Sequence, residues 1–415
     1  MRKYTLQGIS ILCISIIVFQ FSGCNESNPI QPEQGNVIPS VSGNIANFWG
    51  EVRAGVKVST DSATTYTDAQ GNFTFTNVTI PYNVYIMDSI TKSSYSLTNL
   101  TGSTFKYFQR LTPYSSFTNQ CKLKVTVSGN SLQPGVKAKF IFTDDEYLNA
   151  YGNTGVDEYI RLRNYSNVTG TLHLIGYKFD QNGYVTSYEN YGKKPATLMT
   201  GGDVTINFDS TEISFNPTES SISGVYTNTS QNADVGLMTF NFSEYDTPNY
   251  ATAISFSPIA NNNSFDYVVP GNLPGNFKIR LYNQIGGNYS KKWTTLQAGS
   301  SGAILEMPFP PLIVEPVNGA TVNATTTFKF NEVSGSGFYI IRVFSLEYEY
   351  TLISNSTEFT LNDFSKLGIN MNSGSSYSWQ VLKIGEIDGV NSYVQNPMPL
   401  NRSESSSEVR TFTIQ

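Results

Sequence analysis

Histidine, cysteine and charge are scarce in this chain of 415 residues, and each shortage excludes a class of function. His173 is the only histidine, so a Ser-His-Asp triad or a histidine-rich metal site would have to use it. Its neighbours alternate like a strand, which predicts a half-exposed sheet histidine. The sequence also lacks a nucleophile elbow, a phosphate loop and a dinucleotide fingerprint. We therefore expect a protein that is not an enzyme and uses no cofactor.

The charge balance excludes another class of partner. Charged residues make up 14% of the chain, against a usual share of about 25%. Acidic residues outnumber basic ones by 32 to 26, and no run of basic residues occurs. A mildly acidic chain of this kind is unsuited to nucleic acid and to electrostatic docking on anionic lipid. Nucleic acid is therefore not an expected partner.

The N-terminus has the pattern of a secretory signal peptide. Two basic residues precede an apolar run, residues 9–21, that is too short for a membrane-spanning helix of about 20 residues. The run ends at Phe21–Cys24, where an apolar residue and two small residues precede a cysteine. This resembles the bacterial lipobox, although Phe21 stands where that motif usually has leucine. The resemblance implies cleavage before Cys24 and attachment of lipid to its thiol.

The lipobox resemblance predicts a lipoprotein of the bacterial cell envelope, expected on the outer membrane. Residues 1–23 would be the signal peptide, and the polar, proline-containing residues 24–37 would form a flexible tether. One acyl chain holds a protein only marginally, but bacterial lipoproteins usually carry several, so the attachment would be lasting. Cys121 would then be the only free thiol, which excludes a disulfide within the mature chain.

The remaining composition favours strands. Aromatic residues make up 13% of the chain, and short alternating apolar runs are broken by Gly, Asn, Asp and Pro. Helical periodicity is nearly absent. We predict an all-β fold of tandem antiparallel β-sandwich domains after the signal peptide. Each domain is expected to have a separate core and to melt independently.

Residues 38–112 contain short strand motifs around a tight turn. Asp68–Gly71 supplies the turn, with the glycine at a positive-φ position, and Phe73 and Phe75 then face the core. The pattern resembles the carboxypeptidase regulatory-like domain, a small prealbumin-like sandwich. The resemblance implies a fold and carries no catalytic role.

The Ser-Gly opening of this first segment recurs weakly downstream. It reappears at Gly129 and at Gly224, and Pro134–Phe140 repeats the strand motif that follows it. A spacing of roughly 90 residues suits tandem sandwich domains. We predict β-sandwiches over residues 121–218 and 221–310, with a prealbumin-like fold as the candidate; chance similarity in a Ser- and Gly-rich β protein is the alternative.

Residues 311–415 carry a clearer pattern. Phe330 lies in an early strand, and Met371–Tyr377 precedes a second strand that contains Trp379. The segment is similar to a fibronectin type III domain, with Phe330 where that family usually has a core tryptophan. The resemblance implies a tyrosine corner, in which the Tyr377 hydroxyl bonds to nearby backbone, and places Trp379 in the core.

Two sets of residues are candidates for binding. Asp144, Asp145 and Glu146 form the densest acidic group, which is either a solvated loop, a calcium site or part of a carboxylate pair. The sequence predicts no metal site. If a calcium site does form, these three residues are the candidates for its ligands. Trp49 lies in a connection between strands and is the candidate sugar platform, whereas Trp293 alternates like a packed residue.

Three functions remain open from the sequence. The first is a non-catalytic, membrane-anchored envelope lipoprotein that displays β-sandwich domains for adhesion, binding or assembly. The alternative is a carbohydrate-binding surface lipoprotein that serves a glycan-uptake system. The third is a carboxylate-based glycosidase. The expected partners are the membrane, through the N-terminal lipid, and a glycan or another envelope protein. An exposed aromatic row would favour the glycan.

Overall fold

The structure is a computed structural model, and sixteen stretches of the chain are described. They are residues 36–47, 52, 54–109, 120–129, 131–143, 149–162, 167–181, 185–215, 217–227, 234–241, 252–256, 264–273, 276–285, 287–367, 371–395 and 401–415. These residues form an all-β protein of several sheets, which confirms the predicted fold class. Residues 37–415 form one compact unit.

The described strands fall into four successive segments of the chain. The first segment contains β1 (Val37–Asn47), β2 (Lys57–Ser59), β3 (Thr64–Tyr66), β4 (Asn72–Thr79), β5 (Tyr82–Asp88), β6 (Ser93–Leu100) and β7 (Thr104–Gln109). The second contains β8 (Gln120–Val127), β9 (Lys137–Thr143), β10 (Asn149–Asn153), β11 (Asp157–Arg161), β12 (Val168–Phe179), β13 (Val185–Leu198), β14 (Asp203–Phe208) and β15 (Ile213–Phe215).

The third and last segments complete the described fold. The third contains β16 (Glu219–Thr227), β17 (Asp234–Asn241), β18 (Thr252–Phe256), β19 (Ser264–Pro270), β20 (Asn276–Ile285), β21 (Asn288–Leu296) and β22 (Ala303–Glu306). The last contains β23 (Ile313–Glu315), β24 (Ala320–Val322), β25 (Thr327–Phe330), β26 (Gly337–Phe344), β27 (Glu349–Ser354), β28 (Glu358–Thr360), a 3-10 helix (Leu361–Leu367), β29 (Ser376–Gly385), α1 (Gly389–Gln395), β30 (Arg402–Ser406) and β31 (Arg410–Ile414). Neither helix in these described stretches has the length and apolarity needed to cross a bilayer.

The turn and core of the first segment follow the sequence pattern. The backbone N–H of Gly71 donates to the carbonyl of Asp68 at 3.0 Å, and Gly71 has a φ of 75°. Glycine tolerates this conformation because it lacks a Cβ. Phe73 and Phe75 of β4 are then both buried, as the alternation of the strand predicts.

The first three segments share one strand order. In each segment, one three-stranded sheet has the segment's first strand at its centre. That strand pairs antiparallel with one neighbour and parallel with the other, in the orders β4-β1-β7, β11-β8-β14 and β19-β16-β22. The second sheets also correspond: β3-β2-β5-β6, β10-β9-β12-β13 and β18-β17-β20-β21. The weak sequence repeat therefore accompanies a repeated topology.

Glycines on the first strands account for part of the sequence repeat. Gly43 of β1 faces Phe73, and Gly224 of β16 faces Phe265; a Cβ at either glycine would overlap the facing ring. Gly129 is different, because it lies in a turn beyond the end of β8. The Ser-Gly match in the second segment is therefore out of register with the other two.

The last segment joins the sheets of the first and third segments. β6 pairs in parallel with β27, and β21 pairs antiparallel with β30. β6 and β21 occupy the same edge position in their respective sheets. The last segment therefore covers equivalent edges of two repeats, and one continuous sheet runs from β3 through it to β18.

Three of the hydrophobic cores cross the predicted segment boundaries, and the core of the last segment includes Tyr85 of the first. The core of the first segment includes six buried residues of the last segment: Phe338, Ile353, Ile384, Ile387, Val390 and Val394. The core of the third segment includes five from the second: Ile141, Ile175, Tyr177, Tyr188 and Tyr191. The expectation of a separate core for every segment is therefore wrong for these pairs.

Candidate binding groove

A groove lies where the first and last segments meet. Its floor follows the parallel pairing of β6 with β27, in which Ser94 is the register partner of Tyr350 and Ser96 that of Leu352. β5 pairs with the other edge of β6, so that Met87 lies beside Ser94 and Tyr85 beside Ser96. Side chains from both ends of the chain therefore build one floor, which we call the junction groove.

The 3-10 helix packs against β5 and β6, and two depressions border it. The first has a volume of about 490 Å³ and is lined by Leu367, the last residue of the helix. The second has a volume of about 380 Å³ and is lined by helix residues such as Asn362 and Lys366. Both volumes fall in the usual range of about 300–1,000 Å³ for ligand pockets.

Three tyrosines gather in the first depression. Tyr348 is 40% exposed, and its ring stacks parallel to that of Tyr350 with centroids 6.1 Å apart. Burial raises the pKa of Tyr350, and the neighbouring phenols of Tyr377 and Tyr348 raise it further. Neither Tyr350 nor Tyr377 donates its hydroxyl to another described residue. The depression thus combines a half-exposed aromatic face with phenol groups that could bond to a ligand.

Charged side chains of both signs line the same depression. The Lys92 ammonium lies 5.1 Å from the centre of the Tyr348 ring and 3.7 Å from the Glu347 carboxylate. Asp88 is buried, and its Oδ1 accepts a hydrogen bond from the backbone N–H of Ile90 at 3.0 Å. The lining therefore has no strong excess of one charge.

A polar contact holds the second depression together. Asp61, in the connection after β2, accepts hydrogen bonds from the Tyr85 hydroxyl at 3.1 Å and from the Asn83 amide at 3.2 Å. Its carboxylate also forms an ion pair with Lys366 of the 3-10 helix. Partial burial raises the pKa of Asp61, but the bonds from Lys366 and Tyr85 outweigh it and hold the pKa below its usual value. This contact ties the helix to the first segment beside the groove.

The lining of the second depression is rich in hydroxyl and amide groups. They come from Asn83, Ser96, Thr98, Asn99, Ser354, Ser356, Asn362 and Ser365. Such groups both donate and accept hydrogen bonds, as sugar hydroxyls do. A junction groove with this lining and an exposed aromatic ring can bind an uncharged, hydroxyl-rich ligand.

Several residues named from the sequence lie outside the described part of the chain. They are Cys24, Trp49, Asp144, Asp145 and Glu146. Their predicted roles in lipid attachment, sugar stacking and calcium binding therefore stay predictions. Within the described stretches, no three His, Cys, Asp or Glu side chains gather as a metal site requires.

His173 is not the half-exposed histidine that the alternation predicted. It is fully buried in β12, with Nδ1 3.0 Å from the Tyr191 hydroxyl and Nε2 3.2 Å from the Thr143 hydroxyl. Burial, assisted by the charge of Lys193, lowers the pKa of His173 to about 3. The central residues of β12 are buried on both faces, which the alternation of one strand cannot reveal. Cys121 is likewise fully buried on β8.

The other aromatic residues named from the sequence differ in how deeply they are buried. Trp379 is fully buried, with Phe328 edge-on at 5.1 Å, which confirms its predicted core position. The Tyr377 ring stacks on Phe412 at 5.8 Å. Among the described residues, no backbone group accepts a bond from the Tyr377 hydroxyl. Residues 368–370, just upstream, lie outside the described part of the chain, so the tyrosine corner stays a prediction. Trp293 is only half-buried on β21.

The sequence reasoning missed the residues of the junction groove. Tyr350 belongs to β27 and Tyr348 immediately precedes that strand, whereas Ser94 and Ser96 belong to β6, more than 250 positions away in the chain. Their polar and aromatic alternation was visible, but their proximity depends on a long-range parallel pairing. Comparison with known proteins supplies no further guide: no family model matches the chain, and no curated protein is similar to it.

Proposed function

We propose that this protein is a non-catalytic, lipid-anchored lipoprotein of the bacterial envelope that binds a neutral glycan in the junction groove. One observation carries the glycan assignment. The groove combines the exposed ring of Tyr348 with a lining of hydroxyl and amide groups from both ends of the chain. Sugars offer the same two features, an apolar ring face and a rim of hydroxyls.

The anchor is supported by the sequence alone. The short apolar run and the Phe21–Cys24 motif support cleavage before Cys24 and lipid attachment there. The tether over residues 24–37 would hold the β-rich part away from the outer membrane. In this position the protein would display its domains for adhesion or assembly, or capture glycans for a partner transporter.

The domain assignments are also proposals. The Asp68–Gly71 turn and the buried Phe73 support a carboxypeptidase regulatory-like first segment. Its strand order recurs in the second and third segments, which supports a prealbumin-like fold for them as well. The buried Trp379 supports a fibronectin type III-like last segment. None of these assignments requires catalysis.

The balance of charge in the groove favours a neutral ligand. Asp88 and Lys92 line the first depression, and Asp363, Glu358 and Lys366 line the second. Each depression therefore presents charges of both signs. A strongly anionic or cationic ligand would face at least one like charge, whereas an uncharged glycan would meet no charge repulsion.

Affinity electrophoresis tests the glycan assignment. The mature chain from residue 24, with Cys24→Ser to keep it soluble, would be run in gels that contain xylan, galactomannan, mixed-linkage glucan or starch. We expect at least one polymer to retard the protein. Tyr348→Ala should weaken that retardation about tenfold, which corresponds to about 1.4 kcal/mol.

Tyr151→Ala is the matched control. Tyr151 is 57% exposed on β10, outside the groove lining, so its removal changes an exposed tyrosine and leaves the groove intact. Retardation should match that of the unsubstituted protein. An absence of retardation by all four polymers, or an equal loss in both variants, would contradict the proposal.

A further inference from the structure

A second surface with different chemistry lies on the third segment. Phe277, Ile279 and Leu281 of β20 point into a hydrophobic core, so the alternate residues Lys278 and Arg280 lie on the opposite face of the sheet. β21 and β30 continue this face, which we call the cationic face.

Cross-strand register arranges the cationic face in rows. One row runs from Arg280 of β20 through Trp293 of β21 to Arg402 of β30. The guanidinium of Arg402 lies 4.4 Å from the centre of the Trp293 ring. The central tryptophan thus has an arginine on each side.

The next row places a lysine among aromatic rings. Lys291 is the register partner of Tyr282 and of Glu404. Its ammonium lies 4.2 Å from the centre of the Tyr289 ring and 5.8 Å from that of Tyr282. The two rings are 6.2 Å apart. The Lys291 ammonium therefore lies beside two aromatic rings, one on its own strand and one on the neighbouring strand.

These rows are unusually positive for this protein. The chain has a net charge of −6 and a pI of about 5.0. Three cations nevertheless share the two rows, and Lys278 lies in the adjacent row. The acidic residues of the second row are Glu404, which lies 3.5 Å from Lys291, and Asp234 of β17, the register partner of Tyr282. Burial, assisted by the charge of Arg402, lowers the pKa of Lys278 to about 8. The smaller contribution, from Arg402, indicates that these two positive charges lie close enough to repel each other, and a bound anion would reduce that repulsion.

We propose that the cationic face binds an acidic polysaccharide, with carboxylates paired to Arg280 and Arg402, the positive charge of Lys291 beside them, and sugar rings against Trp293. Arginine binds carboxylates through a rigid, bidentate fork, and aromatic faces accept sugar rings. A flat array of this kind suits an extended polymer better than a compact anion. This site is separate from the junction groove and takes a ligand of a different class.

The test uses the mature chain with Cys24→Ser in gels that contain polygalacturonate or alginate. The face variant is Arg280→Gln with Lys291→Gln, and the control is Lys106→Gln with Lys329→Gln, which removes two exposed cations elsewhere. We expect retardation of the unsubstituted protein that weakens with salt, because the contact is ionic. The face variant should lose at least tenfold in affinity, and the control should lose less than twofold. Arg280→Gln alone should lose affinity too, and because this side chain is exposed, its effect is separable from unfolding.

Further controls distinguish binding at this site from binding in the junction groove and from general attraction to polyanions. Tyr348→Ala, which alters only the junction groove, should bind polygalacturonate as the unsubstituted protein does. The proposal is overturned if neither acidic polymer retards the protein, or if the face and control variants lose affinity equally. Equally tight binding of single-stranded DNA or of phosphatidylglycerol vesicles would also overturn it, because it would show a general attraction to polyanions.

Discussion

Ser94 of β6 and Tyr350 of β27 are register partners in a parallel pairing that joins the first segment of the chain to the last. The pairing brings the two segments into one sheet, and six residues of the last segment enter the core of the first. Separate melting of these two segments, expected from the sequence, is therefore replaced by an expectation of coupled unfolding.

Trp379→Ala tests this coupling. The indole is fully buried against Phe328 and Phe359, so its removal should cost about 3–5 kcal/mol. Hydrogen exchange of the mature chain should then speed up in β5 and β6 of the first segment as well as in β26 and β29. Phe140→Ala, in a core built by the second segment, should leave those four strands unchanged. Faster exchange confined to the last segment would show that the segments unfold independently.

Tyr377→Phe tests the tyrosine corner. The fibronectin resemblance implies a buried hydroxyl-to-backbone bond, whose loss would cost about 1–3 kcal/mol. In the structure the ring stacks on Phe412 and the hydroxyl has no described backbone acceptor. We therefore expect a loss of about 0.5 kcal/mol or less in urea-induced unfolding. A loss above about 1 kcal/mol would show that the corner bond forms after all.

Acid should destabilise the protein through His173. Its pKa in the folded chain is about 3, against 6.5 for an unperturbed histidine. Between these values the unfolded chain binds a proton that the folded chain does not, so stability falls as the pH drops through this window. The expected slope is about 1.4 kcal/mol per pH unit.

His173→Gln isolates this contribution. The amide can still bond to Tyr191 and Thr143 but does not titrate, so the variant should lose less stability than the unsubstituted protein between pH 7 and pH 4.5. Urea midpoints at the two pH values measure the difference. Parallel losses in the two proteins would show that other groups cause the acid sensitivity.

The anchor makes a prediction that is independent of the fold. Cys24→Ser should move the protein from the membrane fraction to the soluble fraction and abolish incorporation of labelled fatty acid, because the variant lacks the thiol that would carry the lipid. Cys121→Ser is the matched control and should remain in the membrane fraction, since Cys121 lies buried in β8. Membrane association and labelling that persist in Cys24→Ser would contradict the anchor.

The sequence predicted what depends on local pattern. Alternation predicted strands such as β4, and the Asp68–Gly71 turn follows from residue type. The fibronectin type III resemblance placed Trp379 in a core, where it is fully buried. Prediction from the sequence failed where distant segments meet. Nothing near Ser94 indicates that Tyr350 will be its neighbour, and the burial of His173 depends on what covers both faces of β12. The cationic face could have been predicted in part, because Lys278, Arg280 and Tyr282 alternate with apolar residues along β20.

Hydrogen exchange with and without the neutral oligosaccharide retained in the gel assay tests the central claim most directly. If the glycan occupies the junction groove, amides of β6 and β27 should gain protection together, since the two strands share its floor. The 3-10 helix should follow, and β20 and β21 should not change. Protection that appears only outside β6, β27 and the helix would contradict the proposal that the meeting of the chain's first and last segments forms the binding site.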